Sequence, residues 1–360
     1  MKYALKLGRP WGIKISIHWT FLLLIAWVVI MDMRRGLNFQ QIMLSVLFIL
    51  TLFVCVVLHE LGHSIAAMRF GAEVRSITLL PIGGMANISK MPEKPLEELI
   101  MTLSGLAVNV VIAMILLAIL LTTGGLNLQQ MDLTTITTKN FLVMLMFVNL
   151  FLFAFNLIPA FPMDGGRILR SIFSMRMNRL QATQWAKNTG QVFAVAFVIA
   201  GLFVNPFLVI IGVFVFIGAS AEYNYMKLGE SIKAYTASDA MIIDYIALDP
   251  EETLEKAAEK LLHHSENGFL VVNGDRLAGI LTSNDIIEGL SKYDKDTPVK
   301  EIMTTQYETV TPDTSLQVAF QMIQTKRIFL IPVVRNGRIK GVLDKDNLHQ
   351  FILVKNAMRA

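Results

Sequence analysis

The sequence predicts a chain in two parts: an α-helical polytopic membrane domain of six transmembrane helices with a re-entrant β segment, followed by a soluble α/β tandem repeat. Three observations predict it. Apolar residues make up 54% of the 360 and charged residues 17%, below the roughly 25% charge of an ordinary soluble domain. Nearly all of the apolar excess lies before Glu222. After it, two segments match each other at a single register. The division is placed at 1–225 and 226–360.

A helix needs roughly 20 mostly apolar residues to span a bilayer. The expected spans are 15–31, 43–68, 99–121 and 141–160, with a fifth and sixth sharing the apolar stretch 191–221. Asn205-Pro206 interrupts that stretch, and an Asn-Pro pair is a turn signal, so it is expected to be a hairpin. Lys2, Lys6, Arg9 and Lys14 precede the first span, and Arg167, Arg170, Arg176, Arg179 and Lys187 follow the fourth. Basic loops stay cytoplasmic, so four crossings separate the two groups, and the hairpin returns the tail to the cytoplasm. Arg34 and Arg35 fall in a short outside loop, against that bias. The segment 77–88, Ile-Thr-Leu-Leu-Pro-Ile-Gly-Gly-Met-Ala-Asn-Ile, is too short and glycine-rich to cross as a helix and is read as a re-entrant strand or hairpin.

The apolar run 18–31 has no small-residue cleavage site after it, so it is read as a retained span rather than a signal peptide. The single cysteine, Cys55, excludes a disulfide within the chain. A net charge of +4, with no basic run interleaved with aromatics, gives no support to nucleic-acid binding.

In the tail, Met241 matches Met303, Pro250 Pro312, Leu254 Leu316, Ala257 Ala319 and Gly279 Gly341, all at an offset of 62 residues. Each unit reads as a helix, two β-branched runs around an Asn-Gly turn (Asn273-Gly274, Asn336-Gly337), and a second helix. The pair resembles tandem cystathionine-β-synthase-type (CBS, or Bateman) domains, with units at about 236–291 and 299–353. In that family a Gly-x-x-Thr-x-x-Asp segment contacts the ribose and phosphate of an adenine nucleotide. Gly279-Ile280-Leu281-Thr282-Ser283-Asn284-Asp285 matches it in full, which implies Thr282 and Asp285 as nucleotide-binding residues. In the second unit Asp344 replaces the threonine and would repel a phosphate. A purely structural or dimerising role for the pair remains open beside nucleotide binding.

His59-Glu60-Leu61-Gly62-His63 carries the chemistry. On a helix, positions i and i+4 share a face, so two imidazoles can hold one Zn²⁺ while the adjacent glutamate serves as base toward an activated water. Its setting sharpens the reading. It follows Leu-Phe-Val-Cys-Val-Val-Leu in an apolar span, where ionisable side chains are costly and rarely idle. The alternative is a polar patch lining helix contacts. A catalytic zinc needs a third protein ligand and an open position. His18 suits an interfacial place at the start of the first span, so a carboxylate is expected. Asp164 is the natural candidate, at the cytoplasmic end of the fourth span, where prolines and glycines break the helix.

His-Glu-x-x-His followed by Asn156-Leu157-Ile158-Pro159-Ala160-Phe161-Pro162-Met163-Asp164-Gly165 resembles the site-2 protease family of intramembrane metalloproteases. Gly12-Ile13-Lys14-Ile15-Ser16-Ile17-His18-Trp19 is similar to the opening of members with appended CBS domains, so the resemblance covers nearly the whole chain. It implies that His59, His63 and Asp164 bind one zinc, that Glu60 is the catalytic base and that Asn156 shapes the substrate path. Gly105 and Asn109 match the family's Gly-x-x-x-Asn segment. Close helix packing suits Gly105, while Asn109 either positions substrate or braces a neighbouring helix.

The implied function is intramembrane hydrolysis of membrane-anchored substrates, such as an anti-sigma factor or another membrane-held precursor, tuned by adenine nucleotide. The implied partners are the lipid bilayer and a second copy docked through the CBS domains. Transport is the competing class, since CBS pairs also sit on channels and transporters. A transport path needs ionisable residues through several spans, whereas here they gather at one end of two.

Overall fold

The first apolar segment does not begin as a helix. Ile13-Lys14-Ile15-Ser16-Ile17-His18 alternates apolar and polar residues, the period of a half-buried strand. In the computed structural model, which describes residues 4–81, 83–88, 92, 94–125, 135–263, 268–274, 276–326 and 328–358, Lys14–His18 is strand β2, paired antiparallel with β1, Ala4–Gly8. Helix α1 starts only at Thr20 and runs to Arg34. The expected span 15–31 is corrected accordingly.

Helix α2, Phe39–Arg69, is opened by a reciprocal cap: Gln41 N donates to Asn38 Oδ1 (2.9 Å) and Asn38 N to Gln41 Oε1 (3.0 Å). It leads into β3, Val74–Leu80, which runs parallel to β2 and antiparallel to β4, Gly83–Ile88. The segment read as a strand or hairpin is thus a hairpin, though Ile82 at its turn lies outside the described residues. It belongs to a four-stranded sheet, β1-β2-β3-β4, that the sequence reading lacked. Ile13, Ile15 and Ile77 bury one face of that sheet against Leu61 of α2, which seats the sheet over the His-Glu-x-x-His turn.

Helix α3, Pro95–Thr123, starts on a proline, carries Glu97 and Glu98 in its first turn and stops at Gly124, whose φ of 65° is left-handed. Helix α4, Phe141–Asn156, ends earlier than the expected 160, because residues 157–163 turn back before α5, Asp164–Ser174. Gly165 and Gly166 do not break a helix. They form the first turn of α5, where a Cβ on Gly166 would lie 2.6 Å from Phe161 N, so only glycine lets the loop close on the helix. Helices α6, Arg179–Phe203, and α7, Pro206–Ser231, form the expected hairpin, with Asn205 Oδ1 accepting from Phe207 N at 3.0 Å. Each is longer than its share of 191–221 because polar flanks, Arg179 to Gly190 and Glu222 onward, continue the helices.

Four helices among the described residues, α2, α3, α6 and α7, are long and apolar enough to cross a bilayer. The other two expected spans are the 15-residue α1 and 16-residue α4. At 1.5 Å per residue such helices reach only about 23 Å, short of the roughly 30 Å hydrocarbon core.

The chain divides into compact units at residues 1–224 and 225–360. The second opens with the end of α7 and the short α8, Ala237–Ala240. Its first repeat holds β5, Ala247–Leu248, α9, Leu254–His263, β6, Gly268–Asn273, β7, Arg276–Thr282, and α10, Ser283–Lys292. Its second holds α11, Leu316–Lys326, β8, Leu330–Arg335, β9, Arg338–Asp344, and α12, Lys345–Ala357. The repeats exchange their leading arms: Ile242 bridges to Val342 of the second repeat, and Thr304 to Ile280 of the first. A Cβ on Gly341 would meet Met241 Sδ at 3.1 Å, and one on Gly279 would meet Met303 Sδ at 2.7 Å. Two of the matched sequence pairs are therefore one contact made twice, each methionine packed on the other repeat's glycine.

Candidate metal centre

Helix α2 places His59 and His63 one turn apart, both buried. Their Nε2 atoms are 3.0 Å apart. Asp164, at the start of α5 and likewise buried, brings Oδ2 to 3.3 Å from His59 Nε2 and 3.1 Å from His63 Nε2. The predicted trio thus converges from residues 101 positions apart. Among the described residues it is the one group of three or more histidine, cysteine or acidic side chains close enough to hold a metal ion.

Helix α3 supports this triangle on one face. Met101 O lies 2.9 Å from His63 Nδ1. A carbonyl only accepts, so Nδ1 carries the proton and Nε2 of the neutral ring presents its lone pair to Asp164 and His59. Three electron-rich atoms facing one another in a buried site call for a cation between them. Tetrahedral zinc with donors at about 2.0–2.1 Å would hold them about 3.3 Å apart, and the observed edges of 3.0, 3.1 and 3.3 Å come close to that. His59 Nδ1 is buried with no hydrogen-bond partner among the described residues. Gly105 lies one turn beyond Met101, and a Cβ there would overlap His63 Cε1 and Nε2 and sit 2.7 Å from Cδ2. Its small size makes room for the imidazole, beyond the helix packing expected of it.

Glu60 is half-buried beside the pair. Its stem lies against β4: a Cβ on Gly84 would be 2.6 Å from Glu60 Cγ. Asn109 is buried on the same face of α3, its Oδ1 without a hydrogen-bond partner among the described residues. Asn156 ends α4, half-buried. Neither asparagine joins the triangle. His18 Nδ1 pairs with Thr20 Oγ1 at 2.7 Å, at the start of α1.

Sequence reasoning missed a buried ionic cluster behind Asp164. Arg170 of α5, 1% exposed, donates through Nε (3.0 Å) and Nη2 to Glu98 Oε1, and through Nη1 to Glu222 Oε1 (2.6 Å). Arg179 Nη2 donates to Glu98 Oε2 at 3.1 Å. Arg170 had been counted as a loop charge. The available signal was its place six residues after Asp164, on a helix with a strong apolar face.

In the tail, Thr282 and Asp285 lie together and cap α10: Asp285 N donates to Thr282 Oγ1 (3.2 Å), and Thr282 N and Oγ1 donate to Asp285 Oδ2 (2.9 and 2.7 Å). Asp344 fills the same capping position before α12, accepting from Asn347 N at 2.6 Å. A cavity of about 230 Å³ is lined by Thr282, Ser283, Asn284, Phe329, Lys345 and Asp346.

The profile of peptidase family M50 matches residues 47–201, and that of the CBS domain matches 237–292 and 299–353. A zinc metalloprotease of Methanocaldococcus jannaschii is 34% identical over 350 residues, covering 97% of this chain and 96% of that protein. The chain belongs to peptidase family M50. A Synechocystis protein whose name also carries the words zinc metalloprotease is 27% identical to this peptidase, covering 97% of it and 95% of the relative. The solved site-2 protease from Methanocaldococcus jannaschii shares 35% identity with it at a TM-score of 0.45, covering 61% of the peptidase and 95% of that chain.

Proposed function

We propose that this peptidase is an intramembrane zinc metalloendopeptidase that cleaves membrane-anchored substrates in or near their transmembrane segments. The observation that carries this reading is the buried triangle of His59 Nε2, His63 Nε2 and Asp164 Oδ2, with Met101 O fixing the His63 tautomer. These three side chains would hold a zinc ion. When bound, zinc lowers the pKa of its water toward about 7 and polarises the scissile carbonyl. The Glu60 carboxylate takes the proton of the attacking water and returns it to the leaving amine.

A substrate helix must unwind before its carbonyls are open to attack. The β3–β4 hairpin beside Glu60 is suited to capture the unwound segment by strand addition, with Asn109 and Asn156 positioning it. In this reading α1 and α4 complete six crossings, shortened where the sheet and the 157–163 loop meet the bilayer, and the hairpin is re-entrant. The N-terminus and CBS pair are cytoplasmic. Substrates are proteins such as an anti-sigma factor or another membrane-held precursor. The cavity beside Thr282 takes an adenine nucleotide that tunes cleavage, and the CBS pair also serves to dimerise the chain.

Zinc content of the detergent-purified protein tests the centre. Close to one zinc per chain is expected, kept in Glu60→Gln with cleavage abolished and weakened in Asp164→Asn. A wild type that neither carries nor takes up zinc, or a Glu60→Gln variant that still cleaves, would refute the reading.

A further inference from the structure

The buried ionic cluster behind Asp164 has no part in the chemistry above, yet it joins α5, which carries Asp164, to α3, which supports His63. On α3, Glu98, Met101 and Gly105 recur at three- and four-residue steps and so share one face; all three are buried. Met101 O and Gly105 fix His63. Glu98, one turn before Met101, holds Arg170 of α5 through Nε and Nη2 on a single carboxylate oxygen. The same α5 presents Asp164 at its first position. Asp164 and His63 are therefore referenced to one rigid face of α3, one through an ion pair and the other through a carbonyl.

The remaining contacts brace that joint. Phe161, in the loop that delivers Asp164, lies under the Arg170 guanidinium at 5.1 Å. Glu222 and Arg179 complete the cluster, so its two acids and two bases balance. Apolar side chains would hold two helices together at least as well as a buried ion pair. What the planar, forked guanidinium adds is a fixed direction.

We propose that the Glu98–Arg170 pair is a positioning clamp for the metal centre, setting the distance between Asp164 and the histidine pair. The proposal rests on the assignment of His59, His63 and Asp164 as zinc ligands. Partners hydrogen-bonded to a metal ligand typically change metal affinity roughly 10–100-fold when removed; the Glu98–Arg170 pair acts through α3 and α5 rather than by touching a ligand, and the lower part of that range is expected here.

The test uses the full chain in detergent, zinc alone as ligand, and competition with a chromophoric chelator of known affinity. Arg170→Lys keeps the charge but loses the fork. Glu98→Gln combined with Arg170→Gln removes both charges and leaves neither buried alone. Both variants are expected to bind zinc more weakly per folded chain, in the lower part of that roughly 10–100-fold range, with the double variant the weaker. Any cleavage restored by excess zinc should show a lowered kcat at unchanged KM. A merely structural role would lower yield and melting temperature but leave zinc affinity per folded chain at the wild-type value, and that result overturns the clamp. If neither variant folds, Glu222→Gln decides, since Glu222 sits at the open edge of the cluster. A several-fold weaker zinc affinity supports the clamp, and unchanged affinity assigns the cluster to folding alone. A wild type without zinc would instead overturn the ligand assignment beneath the proposal.

Discussion

Gly105→Ala should disable the metal centre through one methyl group. The new Cβ would overlap His63 Cε1 and Nε2 and lie 2.7 Å from Cδ2. Carbon atoms rest about 3.5–4.0 Å apart, so Cδ2 alone must retreat by about 0.8 Å, and the overlapped atoms by more. The ring is tethered by Met101 O at 2.9 Å and faces donors at 3.0 and 3.1 Å, so it has no free direction of retreat. Metal sites tolerate departures of only about 0.2 Å in ligand distance. Zinc affinity is expected to fall roughly 100-fold, at the upper end of the range for supporting residues. The assay is zinc competition against a chelator, beside cleavage of a membrane-anchored substrate. Wild-type zinc affinity in a folded Gly105→Ala protein would refute the argument, because His63 would then have moved without consequence or would never have occupied this place.

The strand beside the site gives a different signature. Gly84→Ala puts a Cβ 2.6 Å from Glu60 Cγ, so the proposed base shifts while the ligands stay. Measured zinc content should be unchanged while kcat falls roughly 10–100-fold, in line with the cost of misplacing a catalytic group by about 1 Å. In the tail, Thr282→Ala removes the α10 cap and should cost about 1 kcal/mol of that unit's stability, with Thr282→Ser close to neutral, as read by thermal unfolding of the full chain. If Thr282 also contacts nucleotide, calorimetry with AMP should show weaker binding in Thr282→Ala and retained binding in Thr282→Ser. Equal AMP affinity in all three proteins would leave Thr282 a cap alone.

The convergence of His59, His63 and Asp164 was legible because their residue types are rare in their setting. Two histidines in an apolar span stand out from any background, and a helix period brings them together without knowledge of the fold. Asp164 was found by elimination and motif, and the return of the 157–163 loop accounts for its reach. The N-terminal sheet was less visible for a reason of scale. Averaged over a span-length window, 15–18 reads as the apolar start of a helix, while the two-residue alternation of 13–18 reads as a strand. The span bounds suffered similarly, since strand and loop take residues that hydropathy alone assigns to α1 and α4. The Glu98–Arg170 pair was not legible, because 72 positions separate the two residues and only the packed fold makes them neighbours. The repeat units were clear, but their exchanged arms were not. A match between Met241 and Met303 marks equivalence and says nothing about which glycine each one touches.

His63 leans on the main-chain oxygen of residue 101, not on a side chain. No codon spells a carbonyl, so no single substitution can delete that support as it could delete an aspartate. Mutational drift at position 101 can alter the methionine and still leave the imidazole oriented, provided α3 keeps its place. Vulnerability in this part of the centre is thereby moved onto the neighbours that fix α3, above all a glycine where no other residue fits. Screens of random variants should accordingly find that apolar replacements of similar volume at the buried position 101 keep the orientation of His63, whereas any side chain at Gly105 displaces it.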